Sequence, residues 1–189
     1  MDFSLLRSAF HGGFSAKGQT VVRAALFLLL GVMLALWPGI AVGQTLAITL
    51  GNVVLYLCIY TLPMGWGAVS VCGAGCIAWL IQGKGLLAVA VVVVRLMAFM
   101  GGKALFVCST SQGANRLVIP AIWCGVALLA GHFCYDSAFY GVLTGALNLP
   151  FRLVEWIVCA TLGVLLVVFL ESRGESTSSG LLSLLGFRS

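Results

Sequence analysis

No charged side chain interrupts residues 24–83, which read AALFLLLGVMLALWPGIAVGQTLAITLGNVVLYLCIYTLPMGWGAVSVCGAGCIAWLIQG. Soluble domains carry about a quarter charged residues, whereas this chain of 189 residues is 8% charged and 61% hydrophobic. These proportions exclude a soluble globular domain. They also exclude intrinsic disorder, which needs low hydrophobicity and high charge. The chain is therefore predicted to be an integral membrane protein built mostly from spanning segments.

The apolar runs lack strict alternation, and this favours helices over a β-barrel. Crossing a bilayer takes about 20 helical residues, and Pro, Gly and polar residues mark the breaks between the runs. The predicted fold is an all-α bundle of six transmembrane helices at residues 20–37, 41–61, 65–82, 86–107, 116–136 and 149–171. The transmembrane domain then covers 20–171.

The distribution of basic residues orients this bundle by the positive-inside rule. With six spans both termini share one side, which carries Arg7, Lys17, Arg23, Lys103, Arg116, Arg173 and Arg188. The opposite side carries only Lys84 and Arg152. Both termini are thus predicted to be cytoplasmic in a cell-membrane protein, with residues 1–19 as an N-terminal segment and 172–189 as a tail. Residues 3–10 have the composition of a short interfacial helix.

Charged residues inside the predicted spans call for a partner or a function, because each costs about 2.5 to 3.5 kcal/mol on insertion scales. Arg95 lies deep in an apolar run, and Arg152 and Glu155 share a helix face at i, i+3 spacing. These three groups, together with His132 and Asp136, fall in the outer half of the predicted bundle. Two interpretations stay open: structural ion pairs, for instance Arg95 with Glu155, or a polar pocket that is open to the outside.

The pocket interpretation predicts recognition of a small polar or zwitterionic molecule, with Arg binding a carboxylate and aromatic faces stacking on the ligand. The predicted substrate-binding residues are Arg95, Arg152, Glu155, Asp136, His132, Tyr135, Trp79, Lys84, Asn148 and Gln44.

The remaining polar and sulfur-containing residues favour no metal, cofactor or nucleic-acid site. Most of the seven Cys lie in apolar runs and are predicted to be small apolar packing residues. Cys72 and Cys76 lie one helical turn apart, but no His or second Cys pair accompanies them. A basic stripe interleaved with exposed aromatics, typical of nucleic-acid binding, is also missing from the sequence.

Several segments resemble the substrate-binding S component of energy-coupling-factor (ECF) vitamin transporters. The Pro/Gly entry to the third span, Leu62–Ala68, resembles the corresponding entry in that family, and Gly131–Asp136 resembles its Gly-Tyr-Phe end of the fifth span. Residues Ala146–Glu155 resemble the Pro-x-Asn-x-x-Gln start of the sixth span, although Arg152 and Glu155 stand at the Asn and Gln places. The similarity covers nearly the whole chain through short motifs.

The resemblance implies capture of a vitamin or related micronutrient from outside. It further implies a transmembrane coupling subunit and two cytoplasmic ATPase subunits as partners, and the chain itself has no G-x-x-x-x-G-K-[ST] loop. Gly31 and Ala35, at small-xxx-small spacing, are the nearest match to the surface that the family uses against its coupling subunit. That spacing equally suits packing inside the bundle.

Two alternatives from other classes remain at this point. Cys108, Arg116 and His132 resemble the constellation of exosortase-like intramembrane transpeptidases, in which a basic neighbour activates the thiol. On the predicted topology, however, about 16 residues of helix, some 24 Å, separate Arg116 from His132, which favours a protein that is not an enzyme. The second alternative is a structural membrane subunit whose in-span charges only pair with one another.

Overall fold

The computed structural model describes residues 18–37, 40–42, 46–109 and 115–174. Within these ranges the elements are, in chain order, α1 (Gly18–Leu36), β1 (Ile40–Val42), β2 (Leu46–Ile48), α2 (Val53–Thr61), α3 (Met64–Ile81), α4 (Gly85–Cys108), α5 (Asn115–Tyr140) and α6 (Val142–Gly174). The predicted interfacial helix at 3–10, the predicted site residue Gln44 and the tail beyond residue 174 lie outside the described residues.

Four helices are long and apolar enough to cross a membrane. The qualifying segments are Met64–Ile81, Gly85–Cys108, Arg116–Tyr140 and Val142–Phe169, and α1 contributes a shorter apolar segment, Thr20–Leu36. Helices satisfy their backbone hydrogen bonds internally, which hydrocarbon surroundings require. The composition-based prediction of a helical protein with membrane-length apolar segments is confirmed at this level.

The predicted second span at 41–61 is wrong as a continuous helix. β1 and β2 form an antiparallel hairpin that pairs Ile40 with Ile48 and Val42 with Leu46, and helix begins only at Val53. The two short runs are rich in β-branched residues, and the sequence between them contains Gly43, a pattern typical of a hairpin. Hydropathy alone does not separate such a run from a buried helix.

The predicted loop between the fifth and sixth spans is also wrong. α5 continues to Tyr140 and α6 starts at Val142, so the reversal takes place at Gly141, whose φ is +93°. Glycine adopts this left-handed conformation without steric cost. Pro150, expected at the start of the last span, lies inside α6.

The short helix α2 forms the centre of the bundle. Its nine residues extend about 14 Å, too little to cross a membrane, and every side chain from Val53 to Ile59 is buried. α2 packs against α1, α3, α4 and α6. Near its C-terminus, Lys103 Nζ donates a hydrogen bond to the Ile59 carbonyl at 2.7 Å, and the Tyr60 hydroxyl donates to the Leu117 carbonyl at 2.7 Å.

The helices alternate in direction, so one end of the bundle collects residues from distant parts of the chain. α1, α3 and α5 end there, whereas α4 and α6 begin there, and a cavity at that end contacts residues of all five helices. We call it the cavity end. α2 starts near the cavity at Asn52 and runs toward the opposite end, where Tyr60 meets the start of α5.

The small residues of α1 pack within the bundle. A methyl group on Gly31 would lie 2.8 Å from the Ala74 Cβ on α3, and the Ala35 Cβ lies close to Gly51. Packing inside the bundle, one of the two options left open by the sequence, therefore applies to Gly31. The role of Gly31 and Ala35 at a partner interface stays a prediction.

Candidate functional site: a polar cavity at one end of the bundle

A cavity of about 340 Å³ opens at the cavity end. Its lining side chains come from α1, the segment before α2, and the ends of α3 to α6: Ala35, Leu36, Trp37, Thr49, Asn52, Trp79, Gln82, Lys84, Val91, Arg95, His132, Arg152 and Glu155. Trp37, Gln82 and Lys84 are exposed and form the rim, whereas Arg95, Arg152 and Glu155 are buried. The volume lies within the range of small-molecule sites, about 300–1,000 Å³.

Glu155 is the carboxylate of the cavity wall, and its oxygens already have donors. Arg152 Nη1 donates to Oε2 at 2.8 Å, one turn away on α6. Asn52 Nδ2 donates to Oε1 at 3.2 Å, and Thr49 Oγ1 lies 3.4 Å from the same oxygen. The ion pair foreseen between Arg95 and Glu155 is therefore formed by Arg152 instead, because i, i+3 spacing brings these two together locally.

Arg95 reaches the wall from α4 and contacts Glu155 only indirectly. Its Nη2 donates to Asn52 Oδ1 at 3.2 Å, and the Asn52 amide in turn donates to Glu155. Among the described residues, no carboxylate oxygen lies within 4 Å of the Arg95 guanidinium. The side chain is only 8% exposed. A buried cation thus lines the cavity with an amide, rather than a carboxylate, as its neighbour.

Gly75 of α3 makes room for this guanidinium. A methyl group on Gly75 would lie 2.9 Å from Arg95 Nη1 and 3.1 Å from Cδ, closer than van der Waals contact, so a larger residue there would displace the guanidinium. A methyl group on Gly51, just before α2, would meet the Ala35 Cβ first, at 3.0 Å, and would lie at ordinary contact distance, 3.4 Å, from Nη2.

His132 and Tyr135 support the wall from α5. His132 Nδ1 and the Tyr135 hydroxyl are 2.7 Å apart, and Arg152 Nη2 donates to the same hydroxyl at 3.2 Å. Half-buried His132 lines the cavity, whereas Tyr135 is buried and is not a lining residue. Tyr135 therefore orients Arg152 and His132 from behind.

Asp136 and Asn148, also predicted to bind substrate, are placed away from the cavity wall. Asn148 Nδ2 donates to Asp136 Oδ2 at 3.0 Å, and both side chains are buried between α5 and α6. This bond links the two helices next to their reversal at Gly141, so the placement corresponds to a structural pair.

Of the ten predicted site residues, the structure brings six to the wall: Arg95, Arg152, Glu155, His132, Trp79 and Lys84. Sequence reasoning missed Trp37, Thr49 and Asn52 as lining residues. Asn52 had a detectable signal, since it is a lone amide between Gly51 and the apolar run of α2. A strong polar group at such a boundary usually has a buried partner.

The cysteine constellation considered above is not assembled. Cys108 ends α4 and Arg116 lies in the first turn of α5, both at the end opposite the cavity, where the Arg116 guanidinium lies 4.5 Å from the Phe106 ring centre. His132, in contrast, lines the cavity. Nor do any three His, Cys, Asp or Glu side chains in the described ranges lie close enough together to hold a metal ion.

No family model, curated protein or solved structure matches the chain.

Proposed function

We propose that this chain is a membrane-embedded binding subunit that takes up a small polar molecule through the cavity end, for uptake powered by partner subunits. The observation that carries the proposal is the convergence of polar side chains, from both halves of the sequence, on one open cavity of suitable volume. Polar groups in membrane-embedded bundles are costly and usually mark solute pathways.

The broken second crossing supports the same proposal. Between α1 and α3 the chain passes through the bundle as a hairpin, an irregular segment at Thr49 and Asn52, and the half-length helix α2. Non-helical backbone is tolerated at membrane depth only where protein buries it or where it lines a cavity. Discontinuous helices of this kind are typical of solute sites in transporters.

The proposal also covers the orientation of the chain in the membrane and its partner subunits. Five helices and the broken crossing amount to six passages, which would leave both termini on the side opposite the cavity. Lys103 and Arg116 lie toward that same side, so the positive-inside rule favours cytoplasmic termini and a cavity that faces outward in the cell membrane. Energy would come from a transmembrane coupling subunit and two ATPase subunits, as the ECF resemblance implies.

Mass spectrometry of small molecules released on denaturing the detergent-purified protein tests this proposal. Thr49→Phe would fill the cavity, whereas Val69→Phe adds the same ring on an exposed face of α3. We expect a near-stoichiometric non-lipid species from the unmodified chain and from Val69→Phe, and its loss from Thr49→Phe. Recovery of lipid alone, or of equal amounts from Thr49→Phe, would contradict a solute-binding role.

A further inference from the structure

We infer that the solute is a small organic anion whose acid group binds at Arg95. This inference rests on the proposed function and assigns a chemical class to the same cavity. It starts from the signs of the charges on the wall. Three lining side chains are cationic, Lys84, Arg95 and Arg152, and one, Glu155, is a carboxylate. The wall therefore carries excess positive charge.

Glu155 is poorly placed to bind a cationic solute. One oxygen is bonded to Arg152, and the other accepts from Asn52 with Thr49 close by. A cation entering the cavity would have to displace these donors or approach Arg152 and Arg95 directly. Like-charge approach in a poorly solvated site is unfavourable.

Arg95, in contrast, is the cationic wall residue that is buried and has no carboxylate partner among the described residues. Only its Nη2 has a described hydrogen bond, to Asn52 Oδ1. The guanidinium fork matches carboxylate and phosphate oxygens in a bidentate arrangement. Arg95 is buried and its Nη2 is already bonded to Asn52, so less side-chain entropy remains to be lost on binding than for an exposed arginine.

The neighbouring helix end adds charge of the same sign. α2 begins at Val53, directly after the lining residue Asn52. The N-terminus of a helix carries a partial positive charge that favours nearby anions. The positive end of α2 therefore adds to the charge of Arg95 at the inner wall, where we place the oxyanion.

The aromatic side chains of the cavity indicate the chemistry of the rest of the solute. Trp37 and Trp79 line the cavity, and the Lys84 ammonium lies 5.3 Å from the centre of the Trp79 ring. Indole faces stack on flat apolar groups. We therefore assign the solute to small organic acids with an apolar or unsaturated body, and carboxylates and phosphate esters share the chemistry that Arg95 recognises.

Isothermal titration of the detergent-purified chain with four matched probes tests the inference: benzoate, phenyl phosphate, benzamide and benzamidine. We expect benzoate or phenyl phosphate to bind at least about tenfold more tightly than the neutral and cationic probes, as charge-assisted hydrogen bonds predict. The stronger of the two anions identifies the acid group. Tighter binding of benzamide or benzamidine would overturn the inference.

Substitutions of Arg95 test whether the anion binds at this residue. Arg95→Gln should weaken anion binding about ten- to hundredfold, whereas Arg116→Gln removes the same charge at the opposite end and should leave it unchanged. Arg95→Lys keeps the charge without the fork and should bind with intermediate affinity, which guards against a folding defect in Arg95→Gln. Equal anion affinity in Arg95→Gln and the unmodified chain would overturn the assignment.

The charge of any co-purified species, read by mass spectrometry, is a second measurement that separates this inference from the proposed function. A bound neutral or cationic solute would overturn the anion assignment and leave the binding function intact. If no probe binds and denaturation releases no solute, both proposals fail. If no probe binds but an anion is released, its loss from Arg95→Gln would support the inference and its retention would overturn it.

Discussion

Arg95 and Lys103 are two buried cations on the same helix, eight residues apart, and they have opposite surroundings. Each is 8% exposed. Lys103 donates to the last buried carbonyl of α2, at Ile59, and its ammonium lies 5.3 Å from the Phe106 ring centre. Arg95 contacts the beginning of α2 through the Asn52 side chain and faces a cavity.

The contrast shows that burial of a charge does not by itself indicate a binding site. The partial negative charge at the C-terminus of α2 and an aromatic face both stabilise the Lys103 ammonium. Arg95 meets the N-terminal, partly positive end of the same helix, where a cation is unfavourable. An anion in the cavity would compensate this arrangement, whereas Lys103 already has its compensation within the fold.

Breaking the Arg152–Glu155 pair should have the largest effect on stability. Glu155→Gln removes the charge that compensates Arg152, and it leaves two arginines on the wall without a carboxylate. We expect a loss of about 3 kcal/mol in the free energy of unfolding, measured by equilibrium unfolding in mixed detergent micelles.

The matched variant is Arg152→Gln combined with Glu155→Gln. We expect the double substitution to restore part of the stability that Glu155→Gln loses, because no uncompensated charge remains at that pair. The double variant should lose less unfolding free energy than the two single variants lose together. A larger loss than that sum would contradict the Arg152–Glu155 pairing, on which the isolation of Arg95 depends.

Lys103→Met should separate structural from ligand-binding cations. It retains an apolar stem but leaves the Ile59 carbonyl without its donor, so we expect the free energy of unfolding to fall by about 1–3 kcal/mol. Probe binding in the cavity should change by less than about twofold, since the sites are distant. Lys84→Met, at an exposed lysine, is the stability control and should stay within about 0.5 kcal/mol. Loss of probe binding in Lys103→Met would contradict the assignment of Lys103 to a purely structural role.

Gly75→Ala should have the smallest effect on stability while it still weakens binding. The added methyl group would approach Arg95 Nη1 to 2.9 Å, and the flexible end of the side chain can move away, so the charge stays but its position shifts. We expect about tenfold weaker anion binding, equivalent to the loss of one charge-assisted hydrogen bond. The free energy of unfolding should change by less than about 1 kcal/mol.

Gly73→Ala on the same helix is the control, because its methyl group would meet Leu28 Cδ1 at 3.0 Å and not the guanidinium. Titration with benzoate compares the two variants. Equal affinity in both would mean that the position of the guanidinium does not matter for binding.

Much of the site followed from local sequence rules. Breaks at Pro63 and Gly83 set the direction of each following helix, and alternating directions place the start of α4 and the end of α3 at one end. This is why Arg95, Trp79 and Lys84 were predicted to lie near Arg152, Glu155 and His132. The i, i+3 spacing of Arg152 and Glu155 likewise predicted a shared face.

The sequence by itself predicted a membrane environment and a helical fold, because apolar runs of membrane length can satisfy their backbone hydrogen bonds in hydrocarbon by forming helices. It also predicted that Arg95, Arg152 and Glu155 would lie toward the same end. The tertiary structure decided which charges are paired. Glu155 and Asn52 are 103 residues apart, and only the docking of α2 against α4 and α6 brings Asn52 between Arg95 and Glu155. The isolated amide of Asn52 indicated a buried polar partner, but no local pattern identified that partner, since the contact depends on where a hairpin replaces a helix.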